Sequence, residues 1–498
     1  QDLLGVHLVD WEKLLHKLLS DHDPAMILIT LRNTDSMVAA DYDPESLNKS
    51  QRKAYFPIER TRKLIAAIRE ITDKKIAVGG FAFSLLADDL IRYLQPDFGV
   101  FGGPDGFFEH FDEIQTGEYD HVPNLLYFQD GDLVSSDRCF YPPYRGTEYT
   151  SSKVKEMMSF YENFPDPGFQ GAPVEIMRGC CHRCVFCAEP HVEGRRVQYR
   201  ELSAVMADIK FLADNGITKM YMISSELNPE GNTFLLKLAD QIEAFNFTQP
   251  DESKVSWFCA NYLLNLNTGE YDRLYRSGFT GGWFDVTALD DGNARAMRTP
   301  YENYHLIGAL NTYIQAETVW SAKRSNAVDE ASQGENVAAG DQEINWTMFL
   351  SNPETTIASV RNTLRIASHE SFATRFSSCS IIKYIRVFDY QALSDDAMNL
   401  VYSVSPSLDR VEYDQLLPSF GYSPALVEHF GNPSALQEFF EHIEETYLSK
   451  KYVKTRDWQE FIHMHTTLLL ITDWLSELAD PVSYTHLTLP TMSTPGGC

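Results

Sequence analysis

The chain has 498 residues, of which 44% are hydrophobic and 12% aromatic, so it is long enough for two or three domains with apolar cores. Its 70 acidic side chains outnumber its 42 basic ones, which gives a formal net charge of -28 at pH 7. Such a charge repels a phosphate backbone unless a local basic patch opposes it. A nucleic-acid partner is therefore not expected.

The chain offers no segment that predicts a membrane partner. Its apolar run LLLITDWL near the C-terminus is broken by Asp473 and falls short of the roughly 20 residues that cross a bilayer.

The first residues, QDLLGVHLVDWEKLL, lack an initiator Met and the order of a secretory signal. We expect an incomplete N-terminus, and the scattered cysteines outside one cluster favour a reducing, cytoplasmic location.

Residues 1–110 predict a doubly wound, Rossmann-like parallel sheet. Apolar runs at 24–32 and 74–80 predict strands, and the stretch between them has apolar residues at helical spacing. A further helix at 83–94 and a strand near 97–103 continue the alternation.

The rest of the chain predicts three further segments and a tail. Residues 111–170 carry Tyr, Pro and Gly without sustained periodicity, which predicts a linker. Strands and helices alternate again over 171–395, as in a (β/α)6 partial barrel, whose chemistry lies at the carboxyl ends of the strands. Residues 396–480 predict a helical region, and the abrupt change of character at 481–498 predicts a non-native or disordered tail. The polar residues 323–343 predict a mobile insertion.

The stretch MRGCCHRCVFCAEP, residues 177–190, holds four of the eight cysteines. Cys180, Cys184 and Cys187 have the spacing CxxxCxxC directly after a predicted strand, so three thiolates can surround one centre. Thiolates suit both zinc and iron–sulfur clusters. A structural zinc takes a fourth protein ligand, whereas a cluster with three cysteines leaves one iron open.

This loop resembles the signature of the radical S-adenosylmethionine (SAM) superfamily, including Phe186 before the last cysteine. The resemblance implies that Cys180, Cys184 and Cys187 bind a 4Fe-4S cluster, whose open iron binds SAM and whose electron cleaves it. It also implies a SAM site. Its residues are Phe186, Ser224, Ser225, Glu226, Asp290, Asn352 and Pro353. Glu226 is expected to pair with the SAM ammonium group. Serines replace the usual glycines before Glu226, and Leu289 and Asp290 replace a usual Glu-Ser pair.

The N-terminal sheet resembles the cobalamin-binding domain that precedes the barrel in one subgroup of this superfamily. Gly79, Gly80 and Ser84 match the GGxxxS turn near the nucleotide tail, and Arg32 and Asn33 match a loop that faces the corrin. Glycines in such a turn allow close backbone approach. The DxHxxG loop that supplies histidine to cobalt in many cobalamin proteins is not visible in the sequence.

The resemblance therefore implies a cobalamin-dependent C-methyltransferase that acts on a small molecule or peptide natural product, with an electron donor such as flavodoxin or ferredoxin. The alternatives are a radical SAM rearrangement or cyclisation without methyl transfer and a zinc-stabilised interaction protein. A methylthiotransferase is expected to have an extra cysteine trio and a basic C-terminal module, and neither is present in these 498 residues. No catalytic residue beyond the cofactor ligands is predicted.

Overall fold

The structure is a computed structural model that describes residues 8–31, 57–85, 87–146, 149–163, 171–184, 187, 189–260, 265–284, 290–296, 298–331, 344–349, 355–367, 378–382, 428, 429 and 431. The chain divides into two compact units. Among the described residues, the first unit extends to Phe258 and the second begins at Cys259. None of the helices in these ranges combines the length and the apolar character needed to span a bilayer.

The first unit begins with a five-stranded sheet in the order β1-β2-β3-β4-β5. Strands β1, β2 and β3 are parallel, and β4 and β5 continue the sheet in antiparallel pairing. The elements in chain order are α1 (Leu8–His22), β1 (Met26–Thr30), α2 (Pro57–Ile71), β2 (Lys75–Gly79), α3 (Phe81–Leu85), α4 (Ala87–Leu94), β3 (Phe98–Val100), α5 (Asp105–Glu109), α6 (Phe111–Thr116), β4 (Leu125–Gln129) and β5 (Asp132–Ser135).

Both faces of this sheet are covered by helices. Ile76 and Val78 pack into a core with residues of α1, α2 and α4, while Ala77 packs into a second core with residues of α5 and α6. Alternate side chains of a strand point to opposite faces, so β2 is buried on both sides. The predicted doubly wound arrangement is therefore present.

The structure differs from the sequence prediction at residues 111–163, which hold helices and two strands in the stretch predicted as a linker. Leu125 and Leu126 of β4 are buried in the two cores. The turn between β4 and β5 is Asp130-Gly131, and both residues have positive φ. An Asp-Gly pair with this backbone is typical of a tight hairpin turn, and this signal was present in the sequence.

The remainder of the first unit carries the cysteine loop. Strands β6 and β9 are parallel, with Glu175 at the end of β6 paired with Ile223 at the end of β9. The elements are α7 (Ser151–Asn163), β6 (Ala172–Glu175), β7 (Met177–Arg178), α8 (Glu189–Val192), β8 (Gln198–Tyr199), α9 (Leu202–Asp214), β9 (Lys219–Ile223), α10 (Thr233–Phe247), a 3₁₀ helix (Asp251–Ser253) and β10 (Ser256–Ala260), whose last two residues belong to the second unit.

The second unit continues the alternation of strands and helices. Strands β11, β12 and β13 are adjacent and parallel. Its elements are α11 (Thr268–Arg276), β11 (Phe279–Phe284), α12 (Asp291–Ala296), α13 (Asn303–Ala331), β12 (Ile344–Phe349), α14 (Ile357–Ala367) and β13 (Ser378–Ile382). Helix α13 extends nine residues into the predicted mobile insertion, because Ala, Glu, Lys and Arg in that stretch are good helix formers. The predicted regions at 396–480 and 481–498 lie outside the described residues apart from three positions.

Candidate active site

The backbone before the first cluster cysteine depends on a glycine. Gly179 has φ +81, and a side chain there would overlap the carbonyl oxygen of Arg196. Only glycine takes this left-handed conformation without strain. The amide of Cys180 then donates a hydrogen bond of 3.1 Å to the carbonyl of Gly194, which directs the chain from β7 into the cysteine loop.

The three predicted cluster cysteines are brought together by this loop. Cys180 is buried, Cys184 and Cys187 are half-buried, and the amide of Cys187 donates to the carbonyl of Cys184 at 3.2 Å. Burial raises the pKa of the Cys180 thiol to about 12. Burial also raises the pKa of Cys184, and the charges of Cys187 and Cys180 raise it further. The thiols of Cys180 and Cys184 are therefore poorly solvated.

Three thiolates suit both a zinc ion and an iron–sulfur cluster. A structural zinc takes a fourth protein ligand, whereas a cluster held by three cysteines leaves one iron open. The three cysteines present fit the predicted iron–sulfur cluster.

A second group of ligands adjoins Cys180. Its thiol, a ring nitrogen of His182 and a carboxylate oxygen of Glu226 all lie within 4.8 Å of one another. Nε2 of His182 is 2.5 Å from Oε2 of Glu226, yet this buried nitrogen has no partner with hydrogen-bond geometry. Glu226 follows β9, whose end is level with that of β6, and this register brings the two loops together.

The residues next to Glu226 contact a carboxylate that the sequence analysis did not single out. Ser225 donates a hydrogen bond of 3.3 Å from its hydroxyl to Oε2 of Glu189. Burial, and then the charge of Glu193, raise the pKa of Glu189 to about 7, although the hydrogen bond from Ser225 opposes them. Ser224 lies beside Ser225 at the end of β9 and is half-buried. Thiols and carboxylates thus converge here, and such a site attracts cations.

Arg178 joins the cysteine loop to the first sheet. Its Nε donates to Oε1 of Glu175 at 2.7 Å, and its Nη1 donates to Oδ2 of Asp105 in α5 at 3.1 Å. Although burial disfavours its charge, Glu175, Asp105 and Glu193 hold the pKa of Arg178 above its ordinary value. The cysteine loop is therefore fastened to the carboxyl edge of the N-terminal sheet.

A buried ion pair supports the backbone that leads into the loop. Arg200 and Asp208 are both almost fully buried and lie 2.7 Å apart. The guanidinium of Arg200 also donates to the carbonyl oxygens of Glu175 and Gly146, each at 2.9 Å. The sequence analysis missed Arg200, because no spacing pattern distinguishes it from a surface arginine.

The predicted cobalamin turn is closely packed against its neighbours. Gly80 has φ +98, and a Cβ there would lie 2.5 Å from the carbonyl oxygen of Leu31. The buried hydroxyl of Ser84 donates to the carbonyl of Gly80 and accepts from the amide of Gly102, both at 2.8 Å. Gly79 ends β2 and would contact Val100 if it carried a Cβ. Ser84 thus fixes the turn and the loop after β3.

Asp290 lies in the second unit, where it caps a helix. Its Oδ1 accepts from the amide of Asn293 at 3.0 Å, and its Oδ2 accepts from the side chain of Asn362 at 3.1 Å. These contacts hold the start of α12 against α14. The other predicted site residues lie outside the described residues. They are Arg32, Asn33, Phe186, Asn352 and Pro353.

Solved structures resemble this chain over most of its length. The radical S-adenosylmethionine methyltransferase TsrM from Kitasatospora setae, with cobalamin and a [4Fe-4S] cluster bound, has a TM-score of 0.62 and 18% identity, and the alignment covers 94% of this chain and 91% of TsrM. The fold is that of the cobalamin-dependent radical SAM enzymes. The cobalamin-dependent radical enzyme OxsB, with aqua-cobalamin and S-adenosylmethionine bound, shares this fold with a TM-score of 0.51 and 10% identity over 95% of this chain and 74% of OxsB.

Sequence comparisons agree with this fold over shorter stretches. Tryptophan 2-C-methyltransferase of Streptomyces laurentii is 21% identical over 45% of this chain and 43% of its own length. The ribosomal protein uS12 methylthiotransferase RimO of Bdellovibrio bacteriovorus is 26% identical over 35% of each chain. The matches therefore span less than half the length of these curated relatives. No model of a known protein family matches the chain. The resemblance to radical SAM enzymes with a cobalamin-binding domain is confirmed.

Proposed function

We propose that the chain is a cobalamin-dependent radical SAM enzyme that transfers a methyl group to a carbon atom of a small molecule or peptide natural product. The observation that carries this proposal is the loop that holds Cys180, Cys184 and Cys187 in poorly solvated positions and is joined to α5 through Arg178. The likeness to TsrM, solved with tryptophan and a SAM analogue bound, supports methyl transfer to a small molecule.

The cysteine trio is proposed to hold the iron–sulfur cluster. When bound, the cluster supplies the electron that cleaves SAM, and the cobalamin supplies the methyl group. Burial disfavours free thiolates at these positions, and iron ligation compensates their charge. Because the three cysteines supply three ligands, one iron is left for SAM.

The carboxylate of Glu226 is proposed to pair with the ammonium group of SAM. It is buried and close to Cys180, so the pair would form where water does not weaken it. Ser224 and Ser225, which lie between β9 and Glu226, are proposed to belong to the same SAM site. Phe186, Asp290, Asn352 and Pro353 complete the proposed SAM site by resemblance alone.

The turn after β2 is proposed to receive the nucleotide tail of cobalamin. Gly79 and Gly80 keep the backbone free of side chains, and Ser84 fixes the turn through its two hydrogen bonds. Arg32 and Asn33 are proposed to face the corrin. We further propose an electron donor such as flavodoxin or ferredoxin and no nucleic-acid partner.

A methylthiotransferase is the competing function that a specific observation favours, because the match to RimO covers 189 residues. A product with an added methylthio group instead of a methyl group would identify it. Cleavage of SAM to 5'-deoxyadenosine without any methylated product would identify a rearrangement or cyclisation.

The test is anaerobic reconstitution of the full chain with iron and sulfide, followed by addition of a low-potential reductant such as dithionite or reduced flavodoxin, SAM, cobalamin and tryptophan or a panel of indole and peptide substrates. Mass spectrometry with a labelled SAM methyl group follows the label into product and also measures 5'-deoxyadenosine and S-adenosylhomocysteine. Label on a substrate carbon supports the proposal. A colourless protein that leaves SAM intact contradicts it.

The matched variants are Cys184→Ala and Cys181→Ala, neighbouring thiols of which only the first belongs to the trio. Cys184→Ala is expected to lose the brown chromophore and all SAM turnover, whereas Cys181→Ala keeps the chromophore. Equal loss in both variants would show that the assignment of the trio is wrong.

A further inference from the structure

A further group of metal-ligating side chains, apart from the cysteine loop, lies in the first unit at the start of α6 and in the loop that follows it. Nδ1 of His110 is 2.6 Å from Oε2 of Glu113, and Nε2 of His121 is 2.8 Å from the same oxygen. The three ligand atoms all lie within 4.8 Å of one another, and the two imidazole rings meet edge to face. No function discussed above uses these residues.

The positions of the three side chains are fixed by buried neighbours. Ile114 follows Glu113 and is buried in the core beneath α5 and α6. Gly117 ends α6 in the left-handed conformation. Beyond it, Val122 next to His121 is fully buried in the same core. The preceding residue, Asp120, accepts a hydrogen bond of 2.9 Å from the hydroxyl of Tyr127 in β4. The cluster is therefore held by the fold and does not depend on its own contacts.

We propose that His110, Glu113 and His121 form a binding site for a divalent transition-metal ion such as Zn²⁺. Two imidazoles and one carboxylate are a common ligand set for Zn²⁺, with water completing the coordination. Ligands at about 2.0–2.1 Å from a tetrahedral ion lie about 3.4 Å apart. The two nitrogens thus need to move less than about 1 Å from the carboxylate oxygen. All three side chains are partly exposed, so this movement and the entry of an ion are unobstructed.

The charges around the cluster favour a cation. Both imidazoles direct a ring nitrogen at the same carboxylate oxygen, Oε2 of Glu113. Asp112 and Glu118 are close in sequence, and the whole chain is strongly acidic. An ion at this position replaces two imidazole N–H donors and adds positive charge beside the carboxylate.

The bound ion would fasten two elements of the first sheet. His110 and Glu113 belong to the α5–α6 segment, whereas His121 lies three residues before Asn124, whose side chain and backbone amide are hydrogen-bonded to the segment after β5. An ion shared by these side chains therefore ties α6 to the entrance of the β4–β5 hairpin. Its role is structural, and it is distinct from the cysteine loop.

The experiment is titration of the cluster-loaded, anaerobic full chain with Zn²⁺ and separately with Co²⁺. The variants are His121→Gln and Glu113→Gln, and His16→Gln on α1 is the matched control because it is an exposed histidine outside the cluster. Isothermal calorimetry gives the stoichiometry and Kd. The Co²⁺ absorption spectrum identifies the ligands, because thiolates produce an intense near-ultraviolet charge-transfer band that imidazole and carboxylate lack.

We expect one Zn²⁺ per chain in the wild type and in His16→Gln, and at least a tenfold higher Kd in the two cluster variants. Co²⁺ bound to the wild type should show no thiolate band, and Zn²⁺ should raise the Tm of the wild type and of His16→Gln but not of the two cluster variants. Circular dichroism checks that the variants fold, and a variant that does not fold is replaced by His110→Gln. Equal Kd values in wild type and folded variants, or a Co²⁺ spectrum with a thiolate band, would overturn the proposal. Neither result affects the test of the cysteine trio.

Discussion

The N-terminal sheet and the cysteine loop differ in how they satisfy their buried polar groups. In the sheet, Ser84 finds both a donor and an acceptor, and Asp97 is surrounded by the amide of Ile76 and the side chains of Arg69 and Lys75. At the cysteine loop, the thiol of Cys180 lies within 4.8 Å of a carboxylate oxygen of Glu226.

The pKa values of the acidic groups differ accordingly between the two regions. Burial outweighs the remaining effects on Cys180, Cys184, Glu189 and Glu193, so the pKa of each is raised. At Asp97 burial acts in the same direction, yet the hydrogen bonds outweigh it and the pKa is lowered. The polar groups of the sheet are therefore satisfied within the sheet, whereas the loop gathers buried acidic groups that favour their protonated forms and that a bound cation would ionise.

The largest expected effect concerns the buried ion pair that supports the backbone leading into the cysteine loop. Asp208→Asn removes the charge that compensates the buried guanidinium of Arg200. Loss of one partner of a buried pair is expected to lower the free energy of unfolding by about 3–5 kcal/mol. Urea denaturation at pH 7 measures this. The exposed Asp214→Asn on the same helix is the control, with less than about 0.5 kcal/mol expected. A loss below 1 kcal/mol for Asp208→Asn would contradict the role given to this pair.

The second prediction tests whether the close packing of Gly80 against Leu31 stabilises the N-terminal sheet. Gly80→Ala combines a left-handed backbone with overlap on the Leu31 carbonyl, and a loss of about 3 kcal/mol is expected. Gly117→Ala is the control, since Gly117 has φ +89 but open space around its Cβ position. It should lose only about 1 kcal/mol. Equal losses in the two variants would show that the close approach at Gly80 is unimportant.

The third prediction follows from the imbalance in the cysteine loop. Arg183, Arg195 and Arg196 are exposed in and after the loop, so trypsin can cleave there when the loop opens. Cluster loading is expected to slow this cleavage at least tenfold, which corresponds to about 1.4 kcal/mol of local stabilisation. Cleavage at the exposed Arg92 of α4 is the internal control and should keep its rate. Unchanged cleavage rates at Arg183, Arg195 and Arg196 after cluster loading would show that a bound cluster does not stabilise the loop.

The smallest expected effect concerns charge compensation in the sheet. The folded pKa of Asp97 is below its ordinary value of 3.8, so the ionised carboxylate stabilises the fold at neutral pH. This contribution to stability is lost as the pH falls through the pKa of Asp97 in the folded protein, because the carboxyl is then protonated in both the folded and the unfolded state. Asp97→Asn should therefore cost about 1 kcal/mol at pH 7 and almost nothing near pH 2. Denaturation of both proteins across this pH range measures the difference. A constant difference would contradict the interpretation.

Local sequence signals predicted most elements of the fold. Val205, Met206, Ile209 and Leu212 recur at helical spacing and share the buried face of α9, and the strand predicted at 74–80 corresponds to β2. The antiparallel hairpin of β4 and β5 was missed because its Asp130-Gly131 turn lies among residues without long periodicity. The end of α13 was missed because polar composition was taken as a sign of mobility.

The sequence by itself predicted the cysteine trio from its spacing along one loop and, by resemblance, the chemistry proposed for it. It also determined the alternation of strands and helices in both units, because apolar periodicity is a local property of the chain. Only the tertiary structure decided that Arg178 meets Asp105, that Ser225 meets Glu189 and that His121 meets His110 and Glu113. These contacts join residues whose proximity depends on strand register and helix packing, which local patterns do not encode.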